Sequence, residues 1–214
     1  QAGGRPHAEA MALEQAGEKS IGATVYTTLE PCSHYGKTPP CSDALISARI
    51  KRLVGAMRDP DPRVDGKGFS KLRDAGIEVV EGILESEATE LNRGFIARVT
   101  RNLPFVTLKM AMSIDSRIAT KTGDSKWITG EKARYSSHFL RSKHDAILTG
   151  IGTVLADNPI LNTRISGLGN RSPTRIILDT KLRLPVDSQI VSTATEYKTI
   201  IFTTGAAEKS KKKH

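Results

Sequence analysis

Apolar positions along the chain switch between two periods. Residues 7–16 carry helix formers, with Pro6 in a first-turn position and Gly17 as a stop, and predict a helix. Residues 23–29 set Val25 and Tyr26 among threonines and predict a strand. A loop with three prolines covers 30–40. Helical spacing returns over 41–50, with Ala44, Leu45 and Ala48 on one side. A short strand at 53–57 leads into the rigid turn Asp59-Pro60-Asp61-Pro62. A helix at 69–75, a strand at 77–80 and a helix at 86–99 follow, the last with Leu91, Phe95, Ile96 and Val99 as its stripe. A boundary is expected near Arg101-Asn102-Leu103-Pro104, dividing the chain into 1–101 and 102–214. Beyond it the pattern predicts an apolar strand at 105–112, a polar stretch at 120–127, a helix at 130–141 and a strand at 145–149. A short helix at 150–156 ends in Asp157-Asn158-Pro159, and strands follow at 174–178 and 199–203. Strands alternating with helices predict α/β layers with largely parallel sheets. The second unit stops after few strands, so it is expected to be shortened at its C-terminal end.

Composition narrows the function classes. The 214 residues are 38% hydrophobic, and no apolar run approaches the roughly 20 residues that span a bilayer, so no membrane role is expected. No export signal is evident at the start of the chain, which opens without an initiator Met. The two cysteines cannot form a disulfide framework and read as thiol or metal chemistry in a reducing cytoplasm. The net charge of +9 is uneven: residues 1–101 carry 14 basic and 14 acidic side chains, and residues 102–214 carry 18 and 9. Lys209, Lys211, Lys212 and Lys213 account for four of those charges and suit a solvated tail. The remaining excess suits a second unit that meets anions.

The sharpest chemical signal is His7-Ala8-Glu9, then Pro31-Cys32, then Cys41. One imidazole and two thiolates make a good ligand set for Zn2+, and three protein ligands leave a tetrahedral position open for water. Zinc lowers the pKa of such a water to about 7. Glu9, two residues from His7, can reach that water without ligating, as a proton shuttle requires. Cys41 opens a predicted helix, where the dipole favours a thiolate. His-x-Glu followed by Pro-Cys-x-x-Cys is the general zinc-deaminase signature. Here eight residues, Ser33 to Pro40, stand between the cysteines instead of two. A closed zinc clip with His34 as fourth ligand, or two unrelated buried cysteines, are the competing readings, and neither uses Glu9. Gly150-Ile151-Gly152 follows a predicted strand, but Leu155 stands where a dinucleotide fingerprint needs its third glycine.

These residues resemble a known family. His7-Ala8-Glu9 with the run Leu29 to Cys41 is similar to the bifunctional deaminase–reductase family of bacterial riboflavin biosynthesis. The second half fits independently through Leu108 to Asp115, Ser125 to Thr129, and Gly152 to Pro159 with Leu161 and Arg164. The resemblance implies a cytidine-deaminase-like zinc domain followed by a dihydrofolate-reductase-like domain, both shortened. Residues before Gln1 and after His214 are expected, including an Asn-containing substrate loop and a Glu–Gly–Gly-type segment over the cofactor. It implies hydrolytic deamination of 2,5-diamino-6-ribosylamino-4(3H)-pyrimidinone 5′-phosphate. NADPH-dependent reduction of the ribosyl group then gives 5-amino-6-ribitylaminouracil 5′-phosphate. His7, Cys32 and Cys41 would hold Zn2+, with Glu9 as the proton shuttle. Ala111, Trp127, Thr153 and Asp157 would contact NADPH. Ser125, Arg141, Leu161 and Arg164 would contact substrate, and Lys109 would serve at the reacting sugar. Arg141 and Arg164 also suit a phosphate on physical grounds, as bidentate donors. His34, Lys37 and Thr38 are either substrate contacts or a solvated loop, and Asp59 to Asp65 either border the site or form a turn. A homo-oligomer and a small-molecule substrate are implied.

Two rival classes remain. A nucleic-acid base deaminase with a basic RNA-binding unit fits the charge, but aromatics are only 5% and the basic residues lack a stacking platform. A non-enzymatic, zinc-structured domain leaves Glu9 without a task.

Overall fold

The computed structural model describes residues 6–36, 38–205 and 207. Lys37 and the four lysines of the tail lie outside them. The chain divides into two compact units, residues 1–107 and 108–214.

In the first unit, α1 (Ala8–Ala16) starts after His7, whose extended backbone makes it the N-cap, and ends at Gly17 with φ 55°. Pro6 therefore sits one residue outside the helix rather than in its first turn. The order continues β1 (Thr24–Thr27), α2 (Cys41–Ser47), β2 (Arg52–Gly55), α3 (Lys67–Asp74), β3 (Glu78–Glu81) and α4 (Glu85–Arg101). The strands form a parallel sheet in that order, with Val25, Leu53 and Val79 in register. Helical crossovers supply the long connections that parallel pairing needs. Leu45, Ile50, Leu53, Phe69, Leu72 and Ile77 form the core between sheet and helices. Gly55, the last residue of β2, leaves room for the Phe69 ring: a Cβ there would stand 2.6 Å from Phe69 Cζ.

One buried carboxylate organises the loops at the C-terminal ends of these strands. Glu30 is 3% exposed. Its Oε2 accepts from the backbone N–H groups of Asp59 (3.1 Å) and Gly66 (2.9 Å). Its Oε1 accepts from those of Gly68 (2.8 Å) and Phe69 (3.2 Å). Helix α3 has no side-chain cap of its own, so Glu30 supplies both the missing acceptors and the negative charge that its N-terminus favours. Gly68 lets the helix come this close: a Cβ there would lie 2.0 Å from the Pro31 carbonyl oxygen. Asp59 and Asp61 continue the turn. Asp59 Oδ1 accepts the Asp61 N–H at 2.8 Å, and Asp61 takes a bidentate contact from Arg63. Hydrogen bonds from Arg63, side chain first, hold the Asp61 carboxyl down at about 2. Burial pushes Asp59 the other way.

The second unit orders α5 (Glu131–Ser142), β4 (Ala146–Gly150), α6 (Ile151–Asp157), β5 (Thr174–Leu178), α7 (Gln189–Ser192) and β6 (Thr199–Phe202). Its sheet is parallel, β4-β5-β6. Ile151, Val154, Leu161, Ile177 and Ile190 form the core. Arg175 on the central strand is fully buried. Its guanidinium donates to the carbonyls of Ile160, Ile190 and Tyr197 and to the hydroxyls of Thr193 and Thr199.

Two expectations fail locally. Residues 105–112 form no strand, and Val106 and Leu108 are 78% and 81% exposed. Both sheets hold three strands and neither includes this segment, so the alternation is present without a backbone ladder to fix it. Helix α4 forms, but its buried positions are Ala88 and Ala97, and Leu91 of the expected stripe is 71% exposed.

Glu30→Gln would turn an amide N–H toward backbone N–H donors. It should destabilise the first unit by about 2–4 kcal/mol, read by denaturant unfolding. The Asp61–Arg63 contact contributes stability above the unfolded-state carboxyl pKa of about 4, and that contribution is lost as pH falls toward 2. The stability of Asp61→Asn should therefore vary less with pH between about 4 and 2 than that of the parent chain.

Candidate active site

The starts of two helices and the loop after β1 meet at one point in the first unit. His7 caps α1, Cys32 follows the Glu30-Pro31 anchor, and Cys41 opens α2. His7 Nδ1 lies 3.2 Å from Cys41 Sγ and 3.6 Å from Cys32 Sγ. The three ligand atoms lie within 4.8 Å of one another. Tetrahedral zinc sites place N and S ligands about 3.5–3.8 Å apart, so imidazole and two thiols at this spacing fit Zn2+. Backbone bonds fix the cysteines: the Cys41 N–H donates to Cys32 Sγ at 3.2 Å, and the Ser42 N–H to the Cys32 carbonyl at 3.1 Å.

The two thiols oppose each other's ionisation. Cys32 is drawn down to about 5, first by the hydrogen bond from the Cys41 thiol, with its N–H and His7 adding to this. Cys41 is pushed up by the same contact, then by burial and by the Glu9 carboxylate beside it. A dication resolves the conflict, since it takes both groups as thiolates. Glu9 lies in the first turn of α1, half-buried, on the Cys41 side of the cluster. Among the described residues only His7, Cys32 and Cys41 group as potential metal ligands. His34 stays outside that group, which removes the closed clip. Its Nδ1 is buried without a hydrogen bond, and its ring faces the charges of Asp59 and Asp61.

In the second unit a cavity of about 340 Å³ collects Lys109, Ala111, Ser125, Trp127, Arg141 and Asp157 from the expected residues. Trp127 is 72% exposed, with the Arg134 guanidinium 4.5 Å from its ring centre. Lys126, Arg134 and His138 also line this cavity. Arg164 stands at its edge through His138, whose Nδ1 accepts the Arg164 N–H at 3.3 Å. Thr153 is exposed on α6 and Leu161 is buried in the core at φ 61°, and neither lines the cavity.

These features define a two-unit α/β protein with an imidazole–dithiol zinc-type centre in one unit and a cationic cavity in the other. Residues 1–57 match the cytidine and deoxycytidylate deaminase zinc-binding region, and residues 104–214 match the RibD C-terminal domain. The chain belongs to the RibD family, whose second domain is of the dihydrofolate-reductase-like type. It is 49% identical over 209 residues to the riboflavin biosynthesis protein RibD of Aquifex aeolicus, covering 98% of this chain and 58% of that protein. The Escherichia coli RibD is 46% identical, covering 89% and 55%. Among solved structures, a Thermotoga maritima diaminohydroxyphosphoribosylaminopyrimidine deaminase/5-amino-6-(5-phosphoribosylamino)uracil reductase superposes with TM-score 0.84 at 45% identity, covering 96% and 58%. Acinetobacter baumannii RibD superposes with TM-score 0.84 at 42% identity, covering 99% and 59%. The chain thus spans little more than half the length of the relatives it matches.

Sequence reasoning missed Glu30, Arg134, His138 and Asn162. Glu30 had no clear signal, because Asp65 just before Gly66 offers a local cap in the sequence and only the structure leaves it unused. Arg134, His138 and Arg141 had one, spaced i, i+4, i+7 along one helix face. Asn162 had none.

The protein should bind one Zn2+ per first unit, and a chelator should lower that unit's unfolding midpoint. Cys41→Ser should weaken zinc at least about tenfold in competition with a chromogenic chelator. Gly68→Ala should weaken it as well, since the Cβ pushes against the carbonyl that precedes Cys32.

Proposed function

We propose that residues 1–101 carry out a hydrolytic deamination and residues 102–214 an NADPH-dependent reduction. The substrate is 2,5-diamino-6-ribosylamino-4(3H)-pyrimidinone 5′-phosphate and the final product 5-amino-6-ribitylaminouracil 5′-phosphate, two steps of riboflavin biosynthesis. The observation that carries the reading is the convergence of His7, Cys32 and Cys41 with the Glu9 carboxylate beside them. Membership of the RibD family supports it. His7, Cys32 and Cys41 would hold Zn2+. The metal supplies Lewis acidity that activates water at neutral pH. Glu9 takes one proton from the attacking water and delivers it to the ring nitrogen, then moves the second, from the newly added hydroxyl, to the amino group that leaves as ammonia. The Glu30 anchor keeps Cys32 in place while this proceeds.

In the second half NADPH supplies hydride to the sugar carbon, and the chain's task is to position the partners. Lys109 acts at the reacting sugar. Ala111, Trp127 and Asp157 of the cavity contact the nucleotide, and Ser125 and Arg141, with Arg164 at its edge, the substrate; the family resemblance alone adds Thr153 to the first set and Leu161 to the second. Four of the cavity's charged residues are cations, Lys109, Lys126, Arg134 and Arg141, against one acid, Asp157, which favours anionic ligands. We place the protein in the cytoplasm, where its thiols stay reduced, as a homo-oligomer acting on a small molecule rather than on nucleic acid. No helix among the described residues is long and apolar enough to cross a membrane.

The pyrimidinone phosphate should release ammonia without NADPH, and the product should then drive NADPH oxidation. Glu9→Ala should lower ammonia release roughly 10²- to 10⁴-fold with zinc retained. Ammonia release that survives this change removes the assigned mechanism.

A further inference from the structure

Helix α5 turns Arg134, His138 and Arg141 toward the same cavity. His138 Nδ1 meets two donors there, the Arg164 backbone N–H and Arg141 Nη1, each at 3.3 Å. A ring nitrogen that accepts N–H bonds keeps its lone pair, so a neutral His138 carries its proton on Nε2. The arginines are tied a second time through Asn162, which is buried. Arg141 Nη1 donates to the Asn162 carbonyl at 2.5 Å, Arg164 Nη1 donates to Asn162 Oδ1 at 3.1 Å, and Asn162 Nδ2 donates to Tyr197 Oη at 3.1 Å.

Among the described residues neither Arg141 nor Arg164 has a carboxylate at ion-pair distance. Arg141 Nε is buried without a hydrogen-bond partner. Holding two guanidinium groups together without an acid costs free energy, which an incoming dianion would recover. Protonating Nδ1 would remove both bonds it accepts and add a third cation. Burial, then Arg141 and Arg164, hold His138 below its ordinary range, with the Asn162 carbonyl opposing them.

We propose that His138 is a positioning residue: through Nδ1 it holds the Arg141 head group and the Arg164 main chain together as a clamp for a phosphomonoester dianion. This rests on the reading above that the cavity receives a sugar phosphate. His138 touches the arginines and need not touch the phosphate.

The test titrates ribose 5-phosphate, with ribose as control, into the full 214-residue chain by calorimetry. His138→Leu removes the acceptor at similar bulk. His138→Asn keeps an acceptor, Oδ1, near the place of Nδ1. Arg141→Ala reports whether binding uses this cavity, and circular dichroism confirms that each variant is folded. The parent chain should bind ribose 5-phosphate and not ribose. His138→Leu should weaken it about tenfold, and His138→Asn should return it to within about threefold. A role limited to packing predicts the reverse order of the two His138 variants. If Arg141→Ala weakens binding while His138→Leu does not, or if His138→Asn is as weak as His138→Leu, the clamp is overturned and the reductase reading stands. If the parent chain does not bind ribose 5-phosphate, or Arg141→Ala binds it unchanged, the cavity assignment falls and the clamp with it.

Discussion

The Glu30 carboxylate, bonded to four backbone N–H groups, is the contact on which the metal centre depends. A buried carboxylate is tolerated when its lone pairs are filled, and here the donors come from the Asp59 turn and from the start of α3. The same residue sits two positions before Cys32, so one interaction fixes the loop that presents a thiol. Gly68 gives the helix its closest approach to that loop, where a methyl group would meet the Pro31 carbonyl. With the loop fixed, Cys32 and Cys41 lie close enough that one thiol resists ionising beside the other. That mutual opposition makes a cation the natural occupant.

The second unit solves the converse problem. Arg175 is a buried cation answered by Ile190 of α7 and Thr193 just after it, by Tyr197 and the first residue of β6, Thr199, and by Ile160. It fastens the core side of β5 and leaves nothing over for a ligand. Arg141 and Arg164 differ because Asn162 and His138 hold them without neutralising them. The basic residues of 102–214 thus include a structural cation, Arg175, and cations gathered at one cavity. Only the last group bears on ligand choice.

Much of this was legible in the chain. The strand and helix periods of both units recur in the structure because each is a local property of side-chain spacing. The segment 105–112 shows where that logic ends: its alternation is as good as that of β4, yet neither sheet of the described residues includes it. The cavity residues were legible only in part. Lys109, Ser125, Trp127 and Arg141 do line one space, whereas Leu161 is buried in the core and Thr153 is exposed on α6, outside that lining.

The sequence by itself determined the ligand chemistry, because an imidazole, two thiols and a carboxylate keep their affinities wherever the chain carries them. It also determined the parallel α/β architecture, through apolar periods and turn residues. Tertiary structure alone decided which polar groups are answered and by whom. The acceptors of Glu30 and the donors of Arg175 find partners 29 or more and 15 or more positions away, respectively, and His138 meets Arg164 across 26. Such partners depend on strand register and on helix approach to a fraction of an ångström, and neither is written in any local run of residues.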